Sequence, residues 1–446
     1  MGTRLFGTDG VRGKAGEPPL DRETVARIGA ALVRALPRAG ATAHVLVGRD
    51  TRESGAWIER ELARGARGEG AHVTSAGVIP TPAVAYLTKS MAFDAGIVIS
   101  ASHNPYEDNG IKVFSGEGEK FDEDLEEHVE SVVADVSWQV HPEAGPPLDQ
   151  QDYVAAYIAH ARTALPDLAV LRGTRIAIDC ANGATTTVAP RLFRELGFDV
   201  TVNGGQPDGR NINLGCGSTH PEALAAVVAA GGHRLGVAFD GDGDRAILID
   251  HHGRVVDGDA VMLMCAKHLK CRGELRGNTV VATVMSNIGL EIALRQAEIG
   301  LVRTPVGDKH VAAAIAAADL SIGGEQSGHV IFSDFLYTGD GIVTALNVLR
   351  VMAESGRELA DLAAELVTYP QVLVNVRVRE KRDLAAVPAV AMAMAVVEAR
   401  LSGQGRLLVR YSGTEPLLRV MIEGRDQAEI TSWANEIAGV VREELG

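Results

Sequence analysis

Short apolar, β-branched runs alternate along this chain with longer segments whose apolar residues recur at helical spacing. The runs at 44–47, 96–99, 175–178, 236–239 and 279–283 predict buried strands, and the amphipathic segments 22–36, 221–230 and 311–318 predict helices between them. This alternation predicts α/β layers whose strand-end loops face a common cleft. The C-terminal part reads differently. Val372-Leu373-Val374-Asn375-Val376-Arg377-Val378 alternates with period two, as a half-buried strand does, and a helix-like stretch follows before a Ser-Gly-Thr turn.

Breaks in the pattern divide the chain. Residues 140–149, with Pro142, Pro146 and Pro147, read as a linker, and a helix-like segment at 151–162 opens the next unit. Further breaks fall near His251-His252-Gly253 and Thr368-Tyr369-Pro370. The expected division is therefore 1–150, 151–252, 253–368 and 369–446, in line with a length of 446 residues.

A formal net charge of -15 argues against nucleic acid or an anionic membrane surface as a partner, so an anionic substrate needs a local basic site. No apolar signal core opens the chain, and the apolar stretch 384–397 contains Pro388 and is shorter than the roughly 20 residues of a spanning helix. These features predict a cytoplasmic protein. Cys180, Cys216, Cys265 and Cys271 show no Cys-x-x-Cys spacing, so neither a zinc site nor a disulfide framework is indicated.

Three segments carry candidate chemistry. Ile99-Ser100-Ala101-Ser102-His103-Asn104-Pro105 ends an apolar run with residues that cannot continue a strand, which predicts an exposed Ser102 on a loop at a strand's carboxyl edge. Asp240-Gly241-Asp242-Gly243-Asp244-Arg245 places three carboxylates at alternate positions with glycines between, a pattern suited to one hard divalent cation. An EF-hand is excluded, since its required Gly and bidentate Glu positions hold Arg245 and His251. Arg410-Tyr411-Ser412-Gly413-Thr414, with Arg419 beyond, combines hydroxyls, turn amides and guanidiniums able to fork onto phosphate oxygens. Read singly, each segment is also compatible with an ordinary polar turn.

Together these motifs resemble the α-D-phosphohexomutase superfamily. The resemblance extends to Phe6-Gly7-Thr8-Asp9-Gly10-Val11-Arg12-Gly13, Gly48-Arg49-Asp50-Thr51-Arg52, Pro80-Thr81-Pro82 and Gly323-Gly324-Glu325-Gln326-Ser327-Gly328-His329. The opening motif, Asn213-Leu214-Gly215-Cys216-Gly217-Ser218-Thr219-His220 and the Gly-Glu-Gln-Ser-Gly-His run look most like the glucosamine-phosphate branch. Val306-Gly307-Asp308-Lys309-His310 departs from that branch's Gly-Asp-Arg-Tyr, so no role is carried over to Lys309 or His310.

The resemblance implies three similar α/β domains and a smaller C-terminal α+β domain around a cleft, in an isomerase that moves phosphate between the C6 and C1 oxygens of a hexose phosphate. It implies phosphorylated Ser102 as the carrier, one Mg²⁺ on Asp240, Asp242, Asp244 and the phosphoserine, and a hexose 1,6-bisphosphate as intermediate and activator. Arg12, His103 and Arg245 would support the transferring phosphate. Lys112 is the first candidate for proton transfer, its pKa expected to fall near the cation and arginines, and His329 is the second. Glu325 and Ser327 would contact the sugar, while Arg410, Ser412, Gly413, Thr414 and Arg419 would anchor the phosphate that is not reacting. The substrate implied is a small amino-sugar phosphate, feeding UDP-N-acetylglucosamine and cell-wall precursors; a homodimer stays open. A glucose- or mannose-phosphate mutase, a phosphatase and a sugar-phosphate sensor are the competing readings.

Overall fold

The five apolar runs form the strands His44–Arg49, Ala95–Ile99, Arg175–Asp179, Leu235–Phe239 and Thr279–Thr283, and the amphipathic segments form helices Arg22–Ala35, Pro221–Gly231 and Asp308–Ala318. The computed structural model describes residues 5–7, 9–36, 42–141, 148–165, 169–412 and 416–446. Most of the expected linker, at 142–147, lies outside them. Helix Arg22–Ala35 starts where Asp21 accepts from the Glu23 and Thr24 amides. Its stripe of Val25, Ile28 and Leu32 lies in one core with Ile58, Leu62 and the strand residues Val45, Val47, Ile97 and Ile99. Each such buried side chain contributes about 1.5–3 kcal/mol through burial.

The chain divides into two units. The first, Met1–Met285 with Ile299–Ala364, holds three sheets. The seven-stranded sheet has a parallel centre in which His44–Arg49 lies between Ala95–Ile99 and His72–Val78. Strand Asp108–Ser115 returns antiparallel beside Ala95–Ile99. In the five-stranded sheet Leu235–Phe239 pairs parallel with Arg175–Asp179 and antiparallel with Ala246–Asp250. In the four-stranded sheet Ile322–Gly324 pairs parallel with Thr279–Thr283 and antiparallel with Val330–Phe332.

The same device thus recurs three times. A strand paired on one side in parallel ends, a short loop follows, and the next strand returns antiparallel on its other side. The loops at these reversals are 100–107, 240–245 and 325–329, which hold Ser102, the three aspartates, and Glu325 with Ser327 and His329. His251-His252-Gly253 is the turn of a hairpin inside the second sheet, since Val255–Val256 pairs back onto Leu248 and Ile249.

The second unit comprises Ser286–Glu298 and Glu365–Gly446. Its antiparallel sheet runs in the order Gln371–Arg377, Leu417–Glu423, Arg406–Tyr411. Val376, Leu418, Val420 and Ile422 join Val390, Val397, Ile430, Ile437 and Val441 of helices Pro388–Leu401 and Gln427–Leu445 in a separate core. The alternation read at 372–378 follows from this one-sided burial. The α/β reading with a C-terminal α+β part therefore holds. Among the described residues no helix is long and apolar enough to cross a membrane, and all four cysteines are free thiols.

Candidate active site

Ser102 follows strand Ala95–Ile99 on the expected loop, but it is buried, at 1% exposure, and not exposed. The correction has a structural cause: the aspartate loop of the second sheet closes over the serine. At Gly241 a Cβ would stand 2.4 Å from the Ser102 carbonyl oxygen, so only glycine permits this approach. Ser102 Oγ donates to Asp240 Oδ2 at 2.5 Å and lies 3.3 Å from His103 Nδ1. Its own backbone is left-handed, at φ 52°.

Asp240, Asp242 and Asp244 are all buried, and each offers a carboxylate oxygen to a group whose members lie within 4.8 Å of one another. Burial, followed by the charges of Asp244 and Asp242, pushes the Asp240 carboxyl well above the usual carboxylate range. Asp244 is held well below that range because Lys112, His329 and Arg245 outweigh its burial. Lys112 Nζ donates to Asp242 Oδ2 at 2.8 Å and Asp244 Oδ2 at 3.0 Å, and lies 3.2 Å from Asp9 Oδ2. Burial opposes its charge, yet these three carboxylates raise its pKa well above the ordinary lysine value. Carboxylates, not arginines, are its nearest neighbours; the expected lowering belongs to the site with a cation on those aspartates.

The donor set fits a hard divalent cation. Asp242 Oδ1 and Asp244 Oδ1 are buried and accept no hydrogen bond, whereas their sister oxygens are occupied by Lys112. Leaving such an oxygen without a partner costs about 1–3 kcal/mol, and oxygen-only ligands clustered by turn glycines are what Mg²⁺ or Ca²⁺ requires. Thr81 fixes the orientation of Asp242, donating from Oγ1 to Oδ2 at 2.6 Å and from its amide to the Asp242 carbonyl at 2.8 Å.

The third loop meets the second directly. Gly328, at φ 90°, leaves room for its carbonyl to accept from the Ala246 amide, where a Cβ would stand 2.4 Å from the Ala246 oxygen. His329 consequently sits buried with Nδ1 3.7 Å from Asp244 Oδ1 and Nε2 accepting from the Gly339 amide at 3.0 Å. Burial works against its cation, but Asp244 and then Asp308 raise its pKa above the usual histidine value. Glu325 Oε1 accepts from the Gly307 amide at 3.2 Å, and Ser327 is exposed. Arg245 lies with Nε 3.8 Å from Asp244 Oδ1. Arg12 pairs with Asp9. Burial, then Arg245 and Arg12, lowers the His103 pKa.

Sequence reasoning missed Asp9, Lys120 and Asp308 as partners. Lys120 Nζ donates to Asp9 Oδ1 at 2.6 Å and also to Asp308, which lies 3.6 Å from His329 Nε2. No local pattern marks Lys120. Of the departing pair, Lys309 bonds Glu126 and His310 is exposed; with Phe6, Phe121 and Tyr337 they line a cavity of about 590 Å³.

In the second unit, Arg410 and Arg419 are direct cross-strand partners, and Asn375 opposes Arg419 on its other side. All three belong to the face opposite the helix-covered one. Ser412 is buried, its amide donating to the Leu417 carbonyl at 2.8 Å and its carbonyl accepting from Lys381 Nζ at 2.6 Å. Gly413 and Thr414 lie outside the described residues.

Four domain families match in order: phosphoglucomutase/phosphomannomutase alpha/beta/alpha domain I at residues 3–139, domain II at 153–253, domain III at 257–369 and the C-terminal domain at 373–440. A phosphoglucosamine mutase of Solibacter usitatus is 49% identical, covering 100% of both chains, and one of Syntrophotalea carbinolica is 46% identical, covering 100% of this chain and 99% of the relative. The crystal structure of a phosphoglucomutase/phosphomannomutase family protein from Burkholderia thailandensis shares the fold at TM-score 0.82 and 24% identity, covering 100% of this chain and 98% of that one. With four domain matches in sequence order and relatives aligned from end to end, the chain belongs to the phosphoglucomutase/phosphomannomutase family, on its phosphoglucosamine mutase branch.

Proposed function

We propose that this protein interconverts glucosamine 6-phosphate and glucosamine 1-phosphate through phosphorylated Ser102 and a glucosamine 1,6-bisphosphate intermediate. The observation that carries the reading is the Ser102 hydroxyl bonded to one of three convergent carboxylates, two of which keep a buried oxygen without a hydrogen-bond partner. Asp240, Asp242 and Asp244 would hold one Mg²⁺. When bound, that ion supplies charge neutralisation for a phosphoryl group on Ser102.

The transfer breaks the bond from Ser102 Oγ to phosphorus and forms one from the sugar oxygen. The proton of the sugar hydroxyl ends on Ser102 Oγ; Lys112 is the first candidate to carry it and His329 the second, each facing Asp244. Lys112 and Arg245 oppose the charge on the phosphoryl oxygens, with His103 and Arg12 beside them. Glu325 and Ser327 are assigned to the sugar, where the carboxylate suits a protonated C2 amine. The phosphate not in transfer is assigned to Arg410, Ser412, Gly413, Thr414 and Arg419, whose grip orients the distal hydroxyl. A bisphosphate that turns over in place then presents its other phosphate to Ser102 and restores the phosphoenzyme.

The test compares turnover of glucosamine 6-phosphate, glucose 6-phosphate and mannose 6-phosphate by one phosphorylated preparation with Mg²⁺. The highest kcat/KM is expected for the amino sugar. A preference for glucose or mannose phosphate would move the assignment to the neighbouring mutases, and release of inorganic phosphate alone would replace it with a phosphatase.

A further inference from the structure

Two motif positions remain without a task in that chemistry. Arg52 closes Gly48-Arg49-Asp50-Thr51-Arg52, and Asn213 opens the loop motif between strand Asp199–Asn203 and helix Pro221–Gly231. They lie in loops that follow strands of different sheets, yet both reach the same two carbonyls. Arg52 Nη2 donates to the Ser102 carbonyl at 3.1 Å and the Asn104 carbonyl at 2.8 Å, and its Nη1 donates to Pro105. Asn213 Nδ2 donates to the same Ser102 and Asn104 oxygens, at 2.9 and 3.0 Å.

The Arg52 side chain is fully buried, and its charge is answered by Asp50, with Nε 2.9 Å from Oδ2. Asp50 Oδ2 also accepts from Ser100 Oγ at 2.6 Å, and Ser100 Oγ accepts from the Ser102 amide at 2.9 Å. The peptide groups on both sides of Ser102 are therefore bonded into one buried network. Such a network answers a need of the site. Ser102 holds a left-handed backbone, which costs a non-glycine residue on the order of 1–3 kcal/mol and persists only where the surroundings impose it.

We infer that Arg52 and Asn213 are positioning residues that clamp the 102–105 turn from two sheets and so aim Ser102 Oγ at Asp240. The inference rests on the phosphotransfer reading above. It assigns work to two side chains whose hydrogen bonds go neither to the serine hydroxyl nor to the three aspartates. A clamp of this kind affects the rate of transfer and leaves capture of the sugar phosphate alone.

The informative variant is Asn213→Gly. Asn213 has φ 58°, so glycine preserves the backbone while deleting the carboxamide. The expected result is a kcat about 100-fold below wild type, the loss that a misplacement near 1 Å can bring. KM for glucosamine 6-phosphate should stay within about threefold, since no uniform binding contact is lost. Arg52→Lys retains a cation for Asp50 but cannot span three carbonyls, and the same split is expected. Amide hydrogen exchange supplies a readout that needs no turnover: residues 100–106 should exchange faster in Asn213→Gly while strand Leu235–Phe239 is unchanged. A folded Asn213→Gly enzyme with wild-type kcat overturns the clamp. If wild type turns over no hexose phosphate, the phosphotransfer reading falls instead, and unchanged exchange at 100–106 in Asn213→Gly then overturns the clamp independently.

Discussion

Around Ser102 the charges are buried and answered by opposite charges within 3–4 Å, Lys112 against Asp242 and Asp244, His329 against Asp244. On the C-terminal sheet two arginines stand at facing positions of adjacent strands, half-buried, with a polar Asn375 in the same row. The first arrangement has its electrostatics set before any substrate arrives, as a chemical step demands. The second sets two guanidiniums at facing cross-strand positions, where the proposed function places the phosphate that is not reacting. The proposed function assigns transfer to the first region and capture to the second.

The comparison breaks most directly at Ser102. Ser102→Ala should fold normally and lose mutase turnover by about 10⁴-fold or more, and intact-mass measurement should find no phosphate on it. Full activity in this variant would remove the covalent carrier. Next in size, Asp242→Asn should lower turnover about 10³-fold and weaken Mg²⁺ binding measured by calorimetry, because one anionic ligand of a hard cation is gone. Retained activity after chelation would contradict the cation site.

On the capture side, Arg419→Ala should raise KM for glucosamine 6-phosphate about 10–100-fold, the value of a charge-assisted contact. The lifetime of phospho-Ser102 should not change. Arg410→Lys should fall in the same range despite keeping its charge, since an ammonium cannot fork. Unchanged KM in both variants at low salt would place the anchoring contacts elsewhere.

The smallest effect on turnover and the sharpest in pH belongs to Asp340. Burial pushes its carboxyl up to about 6, above an unfolded value of about 3.9, although Val343 and Tyr157 both donate to it. The folded state therefore binds this proton more tightly than the unfolded chain does. The associated stability is full below the unfolded pKa and is lost as pH rises to about 6. Asparagine does not titrate and still caps helix Gly341–Ser355. Relative to wild type, Asp340→Asn should thus gain about 2–3 kcal/mol in denaturant unfolding between pH 4 and pH 7. A flat difference would show that Asp340 keeps an ordinary carboxyl.

Strand positions were legible because 45–47, 96–99 and 235–239 are short apolar runs buried on both faces, and the one-sided sheet announced itself by alternation at 372–378. The loops carrying Ser102 and the aspartates were legible because their residues are contiguous. What escaped was set by contacts between distant segments. The exposure of Ser102 was misread because the loop that covers it lies over 130 residues away, with Asp240 bonded to its hydroxyl. The carboxylates around Lys112 escaped for the same reason, since Asp9, Asp242 and Asp244 come to it from two other segments. Lys120 carries no local mark at all, and it is joined to Asp308, in the departing motif, only by the fold.

The register that sets Arg410 opposite Arg419 also bears on how firmly the C-terminal unit is folded. An anion that binds the folded sheet and not the unfolded chain stabilises the unit by mass action, by about 2.7 kcal/mol when its concentration is 100 times its dissociation constant. With the proposed phosphate contacts in place, unfolding of this unit tracks the concentration of phosphate esters, and substrate acts on it as a folding ligand.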